Sequence, residues 1–249
     1  MKIKILSKTQ NMLDVVYIGA RTCYSNRTPL EMFEDIENIS EDKKLKLVKR
    51  CIESAHHSVL EHAYFTFAIE GISRSCSHQL VRTRMASYSQ QSQRYVEIKE
   101  NQDELYEAFN ENYDSTSYKD SKIFKILDKY FVDADKFRNV NGYYYALYNY
   151  LEAIKMGEPA EDCRRFLPNA TKTNIVMSLN LRSCINFFSL RLCNSSQLEI
   201  RNLASCMRDK ILETEPWLEP YLQPKCILAN KCTEGKKCCG YLSDYKKHE

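Results

Sequence analysis

Apolar and polar residues alternate along the chain with two different periods, and each period predicts one type of element. Residues 2–6 alternate apolar side chains with lysine, which predicts a strand. Residues 64–69 are rich in aromatic and branched side chains, as in a buried strand, and residues 174–179 have the same character. Apolar residues recur at helical spacing in six further segments: 10–24, 41–55, 72–82, 159–166, 181–190 and 196–213. Because strands and helices do not alternate strictly, the pattern predicts an α+β fold.

Three segments depart from these periods. Residues 103–155 are charged and tyrosine-rich, and their helical spacing is interrupted near residues 114–117, so we expect a pair of helices on the outside of the core. Residues 87–93 are polar and without a period, which predicts a loop. The last segment is rich in cysteine and lysine. We therefore expect one domain over residues 1–222, followed by a C-terminal tail over residues 223–249.

The composition is that of an ordinary globular protein. Of the 249 residues, 43% are hydrophobic and 28% are charged, which is enough for one substantial core. The formal net charge is only +3, whereas general nucleic-acid binders usually have a stronger basic excess. No apolar run approaches the roughly 20 residues of a membrane helix, and Met1 is not followed by a leader. We therefore expect a cytoplasmic protein with reduced cysteines and with neither a nucleic-acid nor a membrane partner.

Residues 79–95 concentrate side chains that suit a phosphorylated ligand. They include three arginines, three serines and four glutamines. The planar guanidinium of arginine matches phosphate oxygens, and serine and glutamine can hydrogen-bond a base or a sugar. A solvated polar loop explains the same composition, so both interpretations stay open on the sequence pattern alone.

Residues 56–62 contain three histidines and one glutamate, which raises the question of a metal site. Three residues separate His57 from Glu61, whereas the inverted zinc-protease motif has two. The spacing favours instead the end of a helix followed by a loop, with His62 opening the next strand.

Residues 180–191 predict a helix with one polar face. Asn180 is a candidate N-cap. Arg182, Asn186 and Ser189 follow at spacings of four and three residues and therefore share a face. Arg191 lies just past the helix end, where a cation also interacts favourably with the helix dipole. The face is a candidate binding surface, although the position of Arg191 by itself does not require a function.

Four of the eleven cysteines lie close together in the tail: Cys226, Cys232, Cys238 and Cys239. Four thiolates can hold one zinc ion tetrahedrally. The spacing is not the short Cys-x-x-Cys pattern, and adjacent cysteines rarely bind the same ion. Reduced thiols without a metal are the alternative, and a disulfide is less expected in the cytoplasm. In either case we expect the tail to have no part in catalysis.

The arginine-rich segment resembles the signature of one family, the flavin-dependent thymidylate synthases. That signature is Arg-His-Arg, seven residues and then Ser. Here it stands as Arg-Thr-Arg at residues 82–84, followed after seven residues by Ser92. The sequence departs from the signature at Thr83, where the family has a histidine near the flavin. It also has Gln90 where some members have an acid, although glutamine still hydrogen-bonds a nucleotide.

Two other segments strengthen the resemblance. Residues 56–62, before an aromatic strand, are similar to the family's upstream element. Arg164, before a Leu-Pro pair, and residues 180–191 are similar to its downstream elements. Three motifs in the right order make the resemblance specific, and it covers about residues 1–222.

The resemblance implies a central mixed or antiparallel sheet flanked by helices, and it implies two ligand sites. The FAD site would be lined by His56, Ser58, Arg82, Thr83, Arg84, Gln90, Asn180, Arg182 and Asn186, with His56 towards the folate as well. The dUMP site would be lined by Gln79, Arg82, Gln90, Gln91, Ser92, Gln93, Arg94, Arg164 and Arg191. In the family these sites are shared between the subunits of a homotetramer, so one chain does not build a complete site.

The implied reaction is the reductive methylation of dUMP to dTMP. Methylenetetrahydrofolate would donate the carbon, FADH2 the hydride and NADPH the reducing equivalents, with release of tetrahydrofolate. By the same resemblance Arg191 is the catalytic residue, because its charge favours the N3-deprotonated uracil, and no cysteine acts as a nucleophile. Three alternatives stay open: a nucleic-acid-binding module, a different nucleotide-binding flavoprotein, and a relative whose activity is weakened by Thr83.

Overall fold

The computed structural model describes residues 1–245, and their backbone divides into two compact units. Unit 1 comprises residues 1–2, 69–80 and 89–175. Unit 2 comprises residues 3–68, residues 81–88 and the described residues from 176 onward. The domain boundary expected between residues 222 and 223 lies inside unit 2, and it stays a prediction.

Four strands form one antiparallel sheet in the order β1-β2-β4-β3. Their bounds are β1 Lys2–Lys8, β2 Tyr64–Ser73, β3 Ala86–Gln90 and β4 Lys172–Asn180. In strand β2, which is paired on both sides, every second side chain from Phe65 to Ile69 is fully buried. The aromatic and branched residues of this segment predicted a buried strand, and successive side chains of a strand point to opposite faces of the sheet. The α+β class, the antiparallel sheet and strands β1, β2 and β4 are confirmed.

The prediction of a loop over residues 87–93 is wrong, because strand β3 covers the first part of that segment. β3 is an edge strand, paired on one side only. Its side chains alternate between half-buried and exposed, and none of them is fully buried. An edge strand without a buried apolar face leaves no period-two signal in the hydrophobic pattern.

Unit 1 contains the helical excursion, which has three helices where the sequence predicted a pair. The helices of this unit are α4 Arg74–Leu80, α5 Gln102–Asn110, α6 Lys122–Tyr130, α7 Val140–Lys155 and α8 Ala160–Cys163. The predicted interruption separates α5 from α6, and there the Asp114 carboxylate accepts hydrogen bonds from the backbone N–H groups of Thr116 (2.8 Å) and Ser117 (2.9 Å). The second interruption contains Asp133 with a left-handed φ of 56°. It was missed because apolar residues continue across it.

The three helices α5, α6 and α7 enclose a core of their own. Leu105, Leu127 and Leu147 are fully buried in it, together with Phe131. The buried Tyr118 hydroxyl donates to the carbonyl oxygen of Ala134 at 2.8 Å, so this phenol is paired within the core. The excursion therefore consists of three helices rather than a pair, and it has a core of its own.

Unit 2 contains the remaining helices of the described residues. They are α1 Met12–Thr22, α2 Pro29–Glu34, α3 Glu41–Glu53, α9 Leu181–Arg191, α10 Leu198–Leu212, α11 Lys225–Leu228 and α12 Tyr241–Tyr245. Helix α2 was missed, because six residues are too short to show an apolar period. Its start is nevertheless marked in the sequence by Thr28 and Glu31, which form a capping box, with Pro29 at the first helical position.

Short 3₁₀ helices connect these elements, and one of them bears on the site. Their bounds are Ile36–Asn38, His57–His62, Tyr118–Asp120, Phe137–Asn139, Arg164–Phe166, Pro216–Leu218 and Gly235–Lys237. The histidine-rich segment thus forms one complete 3₁₀ helix, and β2 begins two residues after His62. No helix within residues 1–245 is both long and apolar enough to cross a membrane.

Candidate functional site

Four arginines from two of the sequence motifs meet at one cavity of about 820 Å³ in unit 2. We call it the arginine cavity, and these arginines are Arg82, Arg84, Arg182 and Arg191. Its other lining residues are His57, Glu61, Thr83, Met85, Asn180, Ser183, Ile185, Asn186, Ser189, Leu190, Lys225 and Leu228. With Lys225 the lining carries five permanent cations against one carboxylate, so the cavity favours an anionic ligand.

Helix α9 supplies one wall of the arginine cavity. Asn180 caps it by accepting a hydrogen bond from the backbone N–H of Ser183 at 2.8 Å, as the sequence predicted. Arg182, Asn186 and Ser189 all line the cavity, so the face inferred from their spacing is confirmed. The backbone N–H of Leu181, at the start of the helix, donates to the carbonyl oxygen of Ala63 at 2.8 Å, which fixes the end of α9 next to strand β2.

The 3₁₀ helix His57–His62 supplies a second wall. Glu61 Oε1 lies 2.5 Å from Arg182 Nη1, so the one acid of the cavity holds one of its cations. The orientation of the His57 ring is fixed by a hydrogen bond, because its Nε2–H donates to the carbonyl oxygen of Ile52 at 3.1 Å. His56 and Ser58, which the resemblance assigned to the FAD site, are exposed and are not among the lining residues.

The segment between α4 and β3 supplies the third wall, and it contains the residue that departs from the family signature. Thr83 lines the cavity beside Arg82 and Arg84. The hydroxyl of Tyr88 donates to the carbonyl oxygen of Thr83 at 2.9 Å, and burial raises the pKa of this phenol. The backbone at Thr83 is therefore held by a neighbouring side chain and does not depend on a histidine at that position.

A second cavity, of about 550 Å³ in unit 1, contains the other part of the arginine-rich segment. We call it the glutamine cavity, because Gln91, Ser92 and Gln93 line it together with Arg74. Gln91 is held at both ends: its backbone N–H donates to the Asn174 carbonyl oxygen, and its side-chain oxygen accepts from the Asn174 amide, each at 2.9 Å.

Arg74, which the sequence reasoning missed, is the most unusual group of the glutamine cavity. Its Nη2 donates to the carbonyl oxygen of Gln91 at 2.8 Å. Its Nε is buried and has no hydrogen-bond partner within the described residues. Burial, and then the charge of Arg164, lower the pKa of this guanidinium. A buried N–H without an acceptor is costly, so the position suits a ligand that brings an oxygen. The only sequence signal for Arg74 is its polarity at the end of an apolar strand.

Four residues that the resemblance assigned to dUMP lie outside the lining of both cavities: Gln79, Gln90, Arg94 and Arg164. The side-chain NH2 of Gln90 donates to hydroxyls of Ser77 (2.9 Å) and Thr173 (3.2 Å). Arg94 and Arg164 both donate a hydrogen bond to Glu161. The Nε–H of Arg94 donates to its carboxylate at 2.6 Å, and the Nε–H of Arg164 donates to its backbone carbonyl oxygen at 2.9 Å. Their role in binding stays a prediction.

Two observations bear on the tail. Lys225 and Leu228 of α11 line the arginine cavity, and the expectation that the tail has no part in catalysis stays a prediction. Within the described residues, no group of three or more histidine, cysteine, aspartate or glutamate side chains is arranged to hold a metal ion. The zinc site considered for Cys226, Cys232, Cys238 and Cys239 is therefore not formed in this structure.

Comparisons with known proteins agree with these motifs. The family model for thymidylate synthase complementing protein matches residues 4–217. A flavin-dependent thymidylate synthase from Clostridium tetani is 36% identical over 99% of this chain and 96% of its own length. One from Pyrococcus furiosus is 38% identical over 94% of this chain and 89% of its own. Among solved structures, Helicobacter pylori ThyX complexed with FAD and dUMP has a TM-score of 0.68 at 25% identity, covering 88% of this chain and 97% of that one.

These matches cover nearly the whole chain, including the segments that form the walls of the arginine cavity. The resemblance drawn from the arginine-rich segment and its two flanking motifs is thereby confirmed. The chain belongs to the family of flavin-dependent thymidylate synthases.

Proposed function

We propose that the chain methylates dUMP to dTMP, with methylenetetrahydrofolate as the carbon donor and NADPH as the reductant of a bound FAD. The observation that carries the proposal is the arginine cavity. Two of the motifs that carry the resemblance contribute to this one cavity. The first motif supplies Arg82 and Arg84, and the second supplies Arg182 and Arg191. Their convergence supports a single ligand site.

The arginine cavity fits FAD in charge and in surface character. FAD carries a pyrophosphate and two aromatic ring systems. Arg82, Arg84 and Arg182 are suited to phosphate oxygens, because a guanidinium donates two parallel hydrogen bonds. Met85 and Ile185 offer apolar surface to the rings, as cofactor sites commonly do. Asn180 and Asn186 complete the group of residues that we assign to FAD, with Thr83 between the arginines.

The glutamine cavity fits the phosphate of dUMP. A phosphate oxygen would satisfy the Arg74 Nε that otherwise has no acceptor among the described residues. Ser92 and Gln93 line the same cavity and offer neutral donors for the sugar or the base. We therefore add Arg74 to the residues that the resemblance assigns to dUMP.

Arg191 is the residue that we assign to the chemistry on the uracil ring. C5 of uracil is a poor nucleophile, and the N3-deprotonated ring is a better one. A fixed guanidinium stabilises the negative charge of that form. Bound FAD, once reduced, supplies the hydride. Cys184, on the same helix, is fully buried, and burial raises the pKa of its thiol, so it is not a candidate nucleophile.

We further propose that the active sites are shared between the subunits of a homotetramer. The residues assigned to dUMP support this, because Arg82 and Arg191 line the arginine cavity whereas Gln91, Ser92 and Gln93 line the glutamine cavity. A shared site combines one cavity of one subunit with the other cavity of its neighbour. At dUMP concentrations well below the KM of the Arg74→Ala variant, mixed tetramers of Arg74→Ala and Arg191→Ala chains should then regain part of the activity that each variant lacks alone. Mixtures with no gain would contradict sharing.

The release of tritium from 5-tritiated dUMP tests the proposed reaction. The purified protein should show flavin absorbance in the visible and release tritium only when methylenetetrahydrofolate and NADPH are both present. NADPH oxidation without tritium release would indicate a different flavoprotein. FAD-loaded, folded protein without turnover would indicate the weakened relative that Thr83 suggested.

A further inference from the structure

The side chain of Asn174, on strand β4, is hydrogen-bonded on both sides of that strand. Its Oδ1 accepts a hydrogen bond from the backbone N–H of Gly71 on β2 at 3.1 Å. Its Nδ2–H donates to Oε1 of Gln91, the residue after β3, at 2.9 Å. All three residues line the glutamine cavity. The amide of Asn174 therefore has both of its ends engaged at this cavity.

The bond to Gly71 fixes the orientation of the Asn174 amide. A backbone N–H can only donate, so the carbonyl oxygen of the amide faces Gly71 and its NH2 group faces Gln91. That NH2 group requires an acceptor, so Gln91 presents its side-chain oxygen to Asn174. The NH2 group of Gln91 remains, and it has no hydrogen-bond partner within residues 1–245. Gln91 thus offers a donor, and not an acceptor, to a ligand.

The backbone of Gln91 is fixed as well. Its N–H donates to the carbonyl oxygen of Asn174 at 2.9 Å, and its carbonyl oxygen accepts from Nη2 of Arg74 at 2.8 Å. Arg74 contributes a second donor, its buried Nε, which likewise lacks an acceptor among the described residues. Two such donors on contacting residues suit a ligand with several acceptor oxygens, as a phosphate has.

The stability of β4 does not explain an asparagine at this position. The neighbours Thr173 and Ile175 are buried, whereas Asn174 lies on the exposed face of the strand. Strands favour β-branched residues and disfavour asparagine. Val176, two residues further on the same face, follows that preference. The donor and the acceptor of the Asn174 amide, in contrast, both have a partner at the cavity.

We propose that Asn174 is a positioning residue for dUMP, whose amide holds Gln91 so that the Gln91 NH2 group donates to an oxygen of the dUMP phosphate. The inference rests on the proposed function, in which the glutamine cavity binds that phosphate. Asn174 acts through Gln91, because its own amide is already engaged at both ends. Without it the Gln91 side chain is free to rotate, and ordering that side chain on binding lowers the affinity.

A double-mutant cycle on the FAD-loaded protein tests this role. Isothermal titration calorimetry measures the dissociation constants of dUMP and of deoxyuridine, which lacks the phosphate. Gln91→Leu removes the donor and should weaken dUMP binding by roughly 10- to 100-fold, as for a hydrogen bond to a charged group. Asn174→Val keeps the donor but no longer fixes it, and should weaken dUMP binding by roughly two- to tenfold. The affinity for deoxyuridine should be unchanged in both variants.

The cycle separates a positioning role from a structural one. In the Gln91→Leu background, Asn174→Val should have no further effect, because the side chain that Asn174 positions is gone. The single variant should have a higher KM for dUMP with kcat nearly unchanged, and its melting temperature should not fall. Asn174→Thr, also β-branched, is a second variant and should give the same loss. Val176→Asn, the reverse exchange on the same face and outside the lining of both cavities, is the matched control and should bind dUMP normally.

The outcomes distinguish this inference from the proposed function. Wild-type protein that neither binds nor turns over dUMP would overturn the proposed function, and the inference with it. If wild-type protein binds dUMP, three results would overturn the inference alone. These are normal dUMP affinity in Asn174→Val, equal losses of affinity for dUMP and deoxyuridine, and a loss that is the same with and without the Gln91 amide.

Discussion

The carboxylate of Glu61 lies 2.5 Å from Nη1 of Arg182, so an acid on a 3₁₀ helix holds a cation at the start of α9. The two residues are separated by 121 positions in the sequence. Both side chains are partly exposed, at 38% and 54%, so the ion pair contributes little to folding. The ion pair matters for the cavity instead, because it restricts the orientation of the Arg182 guanidinium that we assign to FAD binding.

Glu61→Gln should therefore weaken FAD binding while the fold is retained. The neutral amide of glutamine still accepts a hydrogen bond from Arg182 but carries no charge. Loss of an exposed ion pair of this kind should lower the affinity for FAD by roughly two- to fivefold. Flavin titration of the apoprotein measures the effect. Glu53→Gln, on an exposed ion pair with Lys49 in α3, is the matched control and should change nothing. Tighter flavin binding in Glu61→Gln would show instead that Glu61 competes with the cofactor for Arg182.

Arg191→Ala should remove most of the turnover and leave FAD bound. The loss of one preorganised donor at developing charge typically costs on the order of 100- to 1,000-fold in rate. Tritium release measures the chemistry, and visible flavin absorbance measures the cofactor in the same sample. Arg191→Lys keeps the charge without the planar fork and should retain intermediate activity. Near-normal turnover in Arg191→Ala would show that another group stabilises the uracil.

Thr83→His should increase flavin affinity or turnover, because it restores the family residue in the arginine cavity. The hydroxyl of Tyr88 holds the backbone oxygen of Thr83, so the segment is expected to keep its conformation with the new side chain. Flavin titration and tritium release measure the two effects, and Thr83→Ala is the control for loss of the hydroxyl alone. A large loss of both properties would mean that the cavity is packed around threonine.

Arg74→Ala should weaken the binding of dUMP through its phosphate. A hydrogen bond to a charged group contributes about 1.5–3 kcal/mol, so KM for dUMP should rise by roughly 10- to 100-fold. Inhibition by deoxyuridine, which lacks the phosphate, should be unchanged. Arg165→Ala, on an exposed ion pair with Glu158, is the control. If dUMP and deoxyuridine lost affinity equally, Arg74 would act through the shape of the cavity and not through the phosphate.

Local physics accounts for what the sequence predicted correctly. Aromatic and branched side chains identified strand β2. The cap at Asn180 and the spacing of Arg182 and Asn186 identified the polar face of α9 that lines the arginine cavity. On helix α10, Ile200 and Leu203 are fully buried, as their spacing required. Each of these signals lies within a few consecutive residues, and therefore it can be recognised in a single sequence without the structure.

Contacts between distant segments account for what the sequence missed. Gln91 and Asn174 are hydrogen-bonded although they lie 83 positions apart in the sequence. The orphaned Nε of Arg74 is recognisable only once Gln91 is packed against it. Cys193 joins the tail thiols in the same way. No period or motif records such pairings, because they depend on the tertiary fold.

Lys225 provides the sharpest test of whether the tail takes part in the site. It lines the arginine cavity with four arginines, and it also lines a smaller cavity, of about 210 Å³, to which five cysteines contribute. An added cation strengthens the attraction for an anionic cofactor, so Lys225→Ala should weaken FAD binding roughly two- to fivefold, as for other exposed charges. Lys231→Ala is the matched control, since Lys231 is exposed in the same tail and lines neither cavity.

A second variant tests the same role for the whole segment. Truncation after Pro224 removes both Lys225 and Leu228 from the cavity wall and should weaken FAD binding more than Lys225→Ala does, because apolar contact is lost with the charge. Flavin titration measures both variants, and circular dichroism confirms that each is folded. If the truncated protein binds FAD and turns over like the full chain, α11 has no part in the site, and the original expectation of an idle tail is correct.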